Sequence, residues 1–495
     1  MLPQQPEAQT PLESAIDVAE IKHRSVKGVA ALISRTFAVQ LISFAATLGL
    51  TVFLDPSVYG VFFLVSAVVN FLAYFSDIGL AAALVQKKEK ITDKDLATTF
   101  TVQQGIVVTL LILLFSLTPF IRTNYHLTTA AIYLMWSLGI SLFLSSLKTI
   151  PSILLERELQ FNKLVIPQIA ETIVFNLVAV FFAWRGLGIT SFTLAVLARG
   201  LTGLILVYII FPWRPRFGFS QDSLKSLLKF GLPFQANTFL AVIKDDGMTV
   251  FLGKLVGTDG LGYLGWASRW ASLPLRIFMD NVTKVAFPAF SRLQHDKERL
   301  AKAIEMSLKY LTLSTFPILI GMAMLANPLV HIIPRYLKWL PAIIPLYFYV
   351  YNSAWACVST SLTNTLNALG KIKTTFKLMV MWVVLTWLFI PALGWYGGYL
   401  GVSLAVGLIA TSSIATVIVV RKHIKFSLTA AFRTSLIAST VMAAILLFLI
   451  PFATNILTVA GLAVTSGIVY VLAIYLLEGK EFLKVTLSYF KSGNV

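Results

Sequence analysis

Four charged residues recur at helical spacing inside one apolar stretch, LGYLGWASRWASLPLRIFMDNVTKVAF (261–287): Arg269, Arg276, Asp280 and Lys284. At about 100° per residue they fall on one stripe of a helix. Asp280 stands four residues from both Arg276 and Lys284 and can neutralise only one of the three cations. Guanidinium forks bind phosphate or pyrophosphate through paired hydrogen bonds. The chemistry these types suggest is capture of an anion, with no bond made or broken. A second cluster lies in PFQANTFLAVIKDDGMTVFLGKLVG (233–257). On a regular helix Gln235, Thr238, Asp245, Asp246 and Thr249 fall within about 100° of one another, while Lys244 points the other way. The two aspartates could pair with Arg269 or hold a coupling ion, Na⁺ or H⁺. Arg35, Arg199, Glu171 and a Ser66/Asn70/Tyr74/Asp77 face complete the candidates. We therefore expect a cationic cavity of Arg35, Arg199, Lys244, Arg269, Arg276 and Lys284. Its polar or ion-coupling groups would be Asn70, Asp77, Gln235, Asp245, Asp246 and Asp280. Buried ion pairs that only hold helices together are the plain alternative.

These residues sit in a chain of 495 residues that is 57% hydrophobic and 13% charged. A charge inside a span costs about 2.5–3.5 kcal/mol at the bilayer centre, so it faces a cavity, a partner or water. Apolar runs of roughly 20 residues, enough to cross a bilayer, recur throughout. Lipid satisfies no backbone groups, so the spans must be helices. We count fourteen, at 29–54, 58–84, 97–119, 127–149, 164–183, 188–211, 231–255, 261–286, 306–332, 341–368, 374–393, 396–420, 432–452 and 457–477. The expected class is an all-α polytopic membrane protein.

Loop charge sets the orientation. Of the 40 Lys and Arg residues, the outward loops hold Arg122, Arg185, Lys254, Arg335 and Lys338. Six lie inside spans (Arg35, Arg199, Lys244, Arg269, Arg276 and Lys284), and the rest fall on the side of the N-terminus. Both termini are expected in the cytoplasm. The outward loops are too short for an external catalytic domain, which disfavours a membrane glycosyltransferase or polymerase. The formal net charge of +18 reflects inward loops, and no basic-aromatic nucleic-acid module is present. The single Cys357 excludes an internal disulfide, and the scattered histidines His23, His126, His295, His331 and His423 offer no metal-ligand spacing. No cofactor is expected beyond a coupling ion.

The chain also repeats. TVFL occurs at 51–54 and 249–252, and WRGLGITSFTLAV (184–196) parallels WYGGYLGVSLAV (395–406). The shared offset implies two six-helix lobes in parallel orientation, an arrangement suited to rocking around a midplane site. The expected organisation is a cytoplasmic tail (1–28), an N-lobe (29–211), a linker (212–230), a C-lobe (231–421), a final span pair (432–477) and a cytoplasmic tail (478–495). The linker reads equally as a charged connection or an amphipathic surface helix, and so does SRLQHDKERLAKAI (291–304).

Several stretches resemble one known group. They are LDPSVYGVFFLVSAVVNFLAYFSDIGLAAALVQ (54–86), PSILLERELQFNKL (151–164), GLGYLGWASRWASLPLRIF (260–278), VAFPAFSRLQHDKERL (285–300) and LNALGKIKTTFKL (366–378). The sequence is similar to the polysaccharide-exporter and lipid-linked oligosaccharide flippase branch of the multidrug/oligosaccharidyl-lipid/polysaccharide superfamily. That resemblance implies two lobes and two extra helices around a cationic cavity. It implies transfer of a polyprenyl-pyrophosphate-linked glycan to the outer leaflet of a bacterial inner membrane by alternating access. Membrane lipid, a polymerase and other polysaccharide-assembly proteins would be partners, and the chain a monomer. The family's cavity arginines would correspond to Arg35, Arg269 and Arg276. The alternative is an ion-coupled exporter of small organic molecules, which Asp245 and Asp246 would suit.

Overall fold

A computed structural model describes residues 39–479 apart from Leu41, Lys88, Lys90 and Leu159, with the backbone alone for Phe234, Ala236, Asn237 and Thr238. Arg35 and the expected tail 1–28 lie outside the described residues, as does the C-terminal tail from 480 onward. Among the described residues every regular element is a helix.

The first half holds α1 (Ile42–Phe53), α2 (Pro56–Ala73), α3 (Leu80–Gln86), α4 (Asp93–Tyr125), α5 (Thr129–Leu147), α6 (Thr149–Arg157), α7 (Phe161–Trp184) and α8 (Thr190–Ile210). The second holds α9 (Gln221–Val242), a π turn (Ile243–Gly247), α10 (Met248–Leu255), α11 (Gly257–Arg292), α12 (Lys297–Ile332), a 3₁₀ turn (Leu337–Ala342) and α13 (Ile343–Ala368). It continues through α14 (Ile372–Thr411), α15 (Ile414–His423), α16 (Leu428–Leu449) and α17 (Ile456–Glu478). Short polar side chains fix several helix starts. Thr92 and Asp95 form a capping box on α4, Ser220 caps α9 and Asp296 caps α12.

Nine helical segments among the described residues are long and apolar enough to cross a membrane, and the chain is a multi-pass membrane protein. Expected spans that do not stand out this way have local causes. The charges of α11 lower its hydropathy, and the expected seventh span is divided into α9, a π turn and α10. The expected eleventh and twelfth spans form one run, broken inside α14 where Gly398 has φ 54° and ψ −141°.

One boundary differs from expectation, and two connections take a definite form. The expected second span is interrupted after Tyr74, where Ile78 and Gly79 both take positive φ. Gly79 is required there, because a Cβ would lie 2.3 Å from the carbonyl oxygen of Gly231. The linker 212–230 divides: 212–220 has no regular secondary structure and α9 begins at Gln221. The irregular part is sewn to α4 by backbone N–H groups of Gly218 and Ser220, which donate to Thr101 and Thr98 hydroxyls at 3.0 and 2.9 Å. Of the stretch 291–304, residues 293–296 form the tight turn joining α11 to α12, and α12 begins at Lys297.

The core is continuous at one end and divided at the other. Leu54, Tyr59, Met135, Phe192, Trp266, Trp339 and Val402 belong to a single buried cluster that draws on both halves. At the loop-charge-rich end, Leu80, Phe100, Ile150 and Leu227 form one cluster, and Leu300, Leu362, Leu366 and Val420 a separate one. The start of α9 packs with the first half, although α9 leads directly into the second.

Candidate functional site

Two adjoining voids open between the halves. One, of about 360 Å³, is walled by Gln40, Ser43, Thr47, Asn70, Asp246, Thr249, Ser268 and Tyr349, among others. The other, of about 580 Å³, is walled by Tyr59, Phe62, Ser141, Thr172, Asn176, Phe192 and Arg199. Arg269 and Arg276 face both voids, as do Ser43, Thr47, Phe63, Ser66 and Asn70.

The long, unbroken α11 positions the two arginines. Seven residues apart, they share a face roughly 10 Å apart along the axis. Arg269 donates from Nη2 to the Thr47 hydroxyl at 3.3 Å, and Thr47 donates in turn to the Ser43 carbonyl at 2.8 Å. Among the described residues neither guanidinium has a carboxylate within ion-pair distance. Both side chains are exposed to the cavity. Their charge is thus held between the halves without a carboxylate counter-ion among the described residues.

Arg199, on α8, faces the larger void and is anchored differently. Its Nε forms an ion pair with Glu171 at 3.5 Å, and Lys148 donates to the other oxygen of the same carboxylate. Gly203 makes room for that carboxylate, since a Cβ there would lie 1.8 Å from Glu171 Oε1. Asn176 on α7 donates to the Ser43 hydroxyl at 3.2 Å, tying this wall to α1. The Tyr59 and Ser66 hydroxyls on the cavity walls are buried with no hydrogen-bond partner among the described residues.

The remaining expected residues are distributed more widely. Asp246 lines the smaller void within hydrogen-bonding reach of the Asn70 amide. Asp245 does not line it: its side chain is 65% exposed and pairs with Lys244 at 2.6 Å, so Lys244 is not without a partner. Neither aspartate pairs with Arg269. The π turn explains the difference, because residues in it step by less than the regular helical angle. Lys284 and Asp280 share the α11 stripe but are exposed beyond the cavity floor, and Asp280 makes no ion pair with Arg276 or Lys284 among the described residues. Asp77 is a backbone anchor, accepting the Gly79 N–H where α2 stops. Gln235 and Tyr74 exchange side-chain-to-backbone hydrogen bonds, joining α9 to the end of α2. Arg35 and the Thr238 side chain lie outside the described residues.

The end of the cavity away from the lysine- and arginine-rich loops is closed by close backbone approach and aromatic packing. A Cβ on Gly60 would fall 1.7 Å from the Thr258 carbonyl oxygen, and one on Gly262 would fall 2.0 Å from that of Pro56. Trp339 is fully buried and stacks on Trp266 at 5.5 Å. Tyr336 and Thr51 share a buried hydroxyl–hydroxyl bond of 2.7 Å. Lys338 donates to the Val52 carbonyl at 3.0 Å and to Asp55 at 3.3 Å. Burial pulls the Lys338 ammonium below the usual lysine range, and Asp55 opposes that shift.

Residues not singled out from sequence complete the walls, Thr47, Tyr59, Asn176 and Tyr349, and Lys148 holds Glu171 behind them. Only Lys148 carried a usable signal, a lysine at the end of an apolar run one helix away from an intramembrane glutamate.

The profile of a family described as polysaccharide biosynthesis protein matches residues 50–343. The chain is 26% identical over 276 residues to the succinoglycan biosynthesis transport protein ExoT of Rhizobium meliloti (strain 1021), covering 56% of this chain and 55% of that one. It is 25% identical over 334 residues to the lipopolysaccharide biosynthesis protein WzxC of Escherichia coli (strain K12), covering 66% and 67%. The chain thus spans between about half and two thirds of these relatives' length. In fold it is similar to the lipid II flippase MurJ in an inward closed conformation, with a TM-score of 0.74 and 17% identity over 91% of this chain and 99% of that one. The chain belongs to the polysaccharide biosynthesis protein family and has the fold of a transporter of the multidrug/oligosaccharidyl-lipid/polysaccharide superfamily.

Proposed function

We propose that this protein flips a polyprenyl-pyrophosphate-linked oligosaccharide from the cytoplasmic to the outer leaflet of a bacterial inner membrane, by alternating access, for surface polysaccharide synthesis. The observation that carries this reading is the placement of Arg269 and Arg276 on both voids at once, without a carboxylate partner among the described residues. Two unneutralised guanidinium groups in a low-dielectric cavity favour a pyrophosphate. An inside-negative potential favours outward movement of that charge, by roughly 2.3 kcal/mol per charge per 100 mV. The protein works as a monomeric transporter rather than an enzyme, with both termini in the cytoplasm. Polymerase and other polysaccharide-assembly proteins use its product. Asp246, beside Asn70 in the smaller void, is the candidate for a coupling Na⁺ or H⁺. The names of ExoT and WzxC, and the fold shared with MurJ, support the reading.

The test is polysaccharide export and build-up of the lipid-linked intermediate in Arg269→Ala, Arg276→Ala and the double variant, at matched membrane levels. Loss of export with accumulation of intermediate is expected. Unchanged export in the double variant overturns the proposal. Sensitivity of a deletion strain to small cationic drugs, with normal surface polysaccharide, would point instead to the small-molecule exporter.

A further inference from the structure

Arg199 is set apart from the other cavity arginines by its company. Glu171 is buried and bonded to both Lys148 and Arg199, so the cluster of two cations and one carboxylate keeps one positive charge. That carboxylate takes the Nε edge of the guanidinium. The Arg199 side chain is still 54% exposed and lines the larger void. No other ion pair engages it among the described residues, which leaves its Nη edge available. Neutral hydrogen-bonding groups, Ser141, Thr172 and Asn176, and the aromatic Phe175 wall the same void. No Asp or Glu is among the residues walling this void, whereas Asp246 walls the smaller one.

Depth fits a separate contact point. Both α8 and α11 begin on the side of the outward loops. Arg199 lies nine residues into α8 and Arg269 twelve into α11, roughly 14 and 18 Å along their axes. The two guanidinium groups therefore face one void from opposite walls at a similar level.

We propose that Arg199 recognises a carboxylate on the glycan, selecting substrates that carry a uronic acid close to the pyrophosphate. This rests on the flippase reading above. A single planar carboxylate matches one guanidinium edge carrying one net charge, while a pyrophosphate calls for the two unpaired guanidinium groups on α11. Hydroxyl and amide groups beside Arg199 suit sugar hydroxyls, and Phe175 suits the apolar face of a sugar ring. Glu171 acts as a positioning residue, fixing the angle from which the free edge is presented.

The test uses the full-length chain in lipid nanodiscs and three probes. They are farnesyl pyrophosphate, a farnesyl-pyrophosphoryl disaccharide ending in glucuronate, and the same disaccharide ending in glucose. In the unaltered protein the glucuronyl probe is expected to bind about tenfold more tightly than the glucosyl one, the size of one charge-assisted hydrogen bond. In Arg199→Gln that ratio falls to about one, whatever happens to the common affinity. Arg199→Lys keeps the charge without the fork and gives an intermediate ratio, which serves if the glutamine variant fails to fold. A ratio of one in the unaltered protein, or a tenfold ratio surviving in both variants, overturns the proposal while leaving the flippase reading intact. Failure of all three probes to bind the unaltered protein overturns both.

Discussion

Trp339 donates its indole N–H to the carbonyl oxygen of Thr51 at 2.8 Å, in a buried contact 288 residues apart in sequence. It ties the turn before α13 to the last turn of α1, across the closed end of the cavity. Beside it lie the Tyr336–Thr51 bond and the Lys338–Asp55 pair. For the cavity to open at this end these contacts must separate together.

Trp339→Phe removes the donor and the five-membered part of a buried indole. Losing the hydrogen bond alone weakens the closed state by about 1 kcal/mol and the cavity left behind adds to that, so the closed-to-open ratio should fall by at least roughly fivefold. The measurement is labelling of a Ser66→Cys reporter by a membrane-impermeant thiol reagent added outside. Ser66 lines both voids and the native Cys357 is fully buried, so background is low. Faster labelling in the Phe variant is expected, and an unchanged rate would separate this contact from gating.

Gly60→Val blocks the same closure by another route. Its Cβ alone would meet the Thr258 carbonyl oxygen at 1.7 Å, and backbone cannot give way as a flexible side chain can. Export is expected to fall below a tenth at normal membrane level, with the Ser66→Cys reporter labelled from outside. Full export would show that α2 and α11 do not need to touch.

Arg157 has a structural task at the opposite end. Its guanidinium donates to the carbonyls of Leu84 at 2.8 Å and Lys87 at 2.6 Å, completing the end of α3. Arg157→Ala should cost about 2 kcal/mol, as for a hydrogen bond from a charged donor. A lowered melting temperature in detergent, partly restored in Arg157→Lys, is the expected result. A melting temperature equal to that of the unaltered protein would remove this role.

Glu171→Ala leaves Lys148 without its partner in a poorly hydrated place. Breaking such a pair costs about 3 kcal/mol, whereas replacing both members by apolar groups is near neutral. The alanine variant should melt lower, and Glu171→Ala with Lys148→Met should recover most of the loss. Equal melting of the two variants would contradict the coupling.

Much of this architecture is legible in the sequence, because a bilayer demands long apolar helices and tolerates few exceptions. The α11 stripe is the clearest case. The regular helix from Gly257 to Arg292 keeps Arg269 and Arg276 on one face, as their spacing implies. Periodicity cannot say where a cavity ends, so Asp280 and Lys284 read like the arginines although they lie beyond its floor. Angles drawn on a regular helix also fail at Ile243–Gly247, where the turn widens. Asp77 resembles an intramembrane acid only until the chain is seen to break beside it. The closure by Trp339 and Thr51 has no local signature, since it joins residues far apart whose types are ordinary for buried helices.

The π turn has one more consequence. A wider turn takes up more chain than a regular one, so α10 begins later than an unbroken helix would allow. Thr249 and Leu252, which reach the smaller void, come after it. Deleting a single residue from this turn would preserve length, greasiness and charge pattern almost unchanged, yet swing both side chains about a quarter of the way round. In this stretch the tally of residues, more than their identity, decides which way the wall looks.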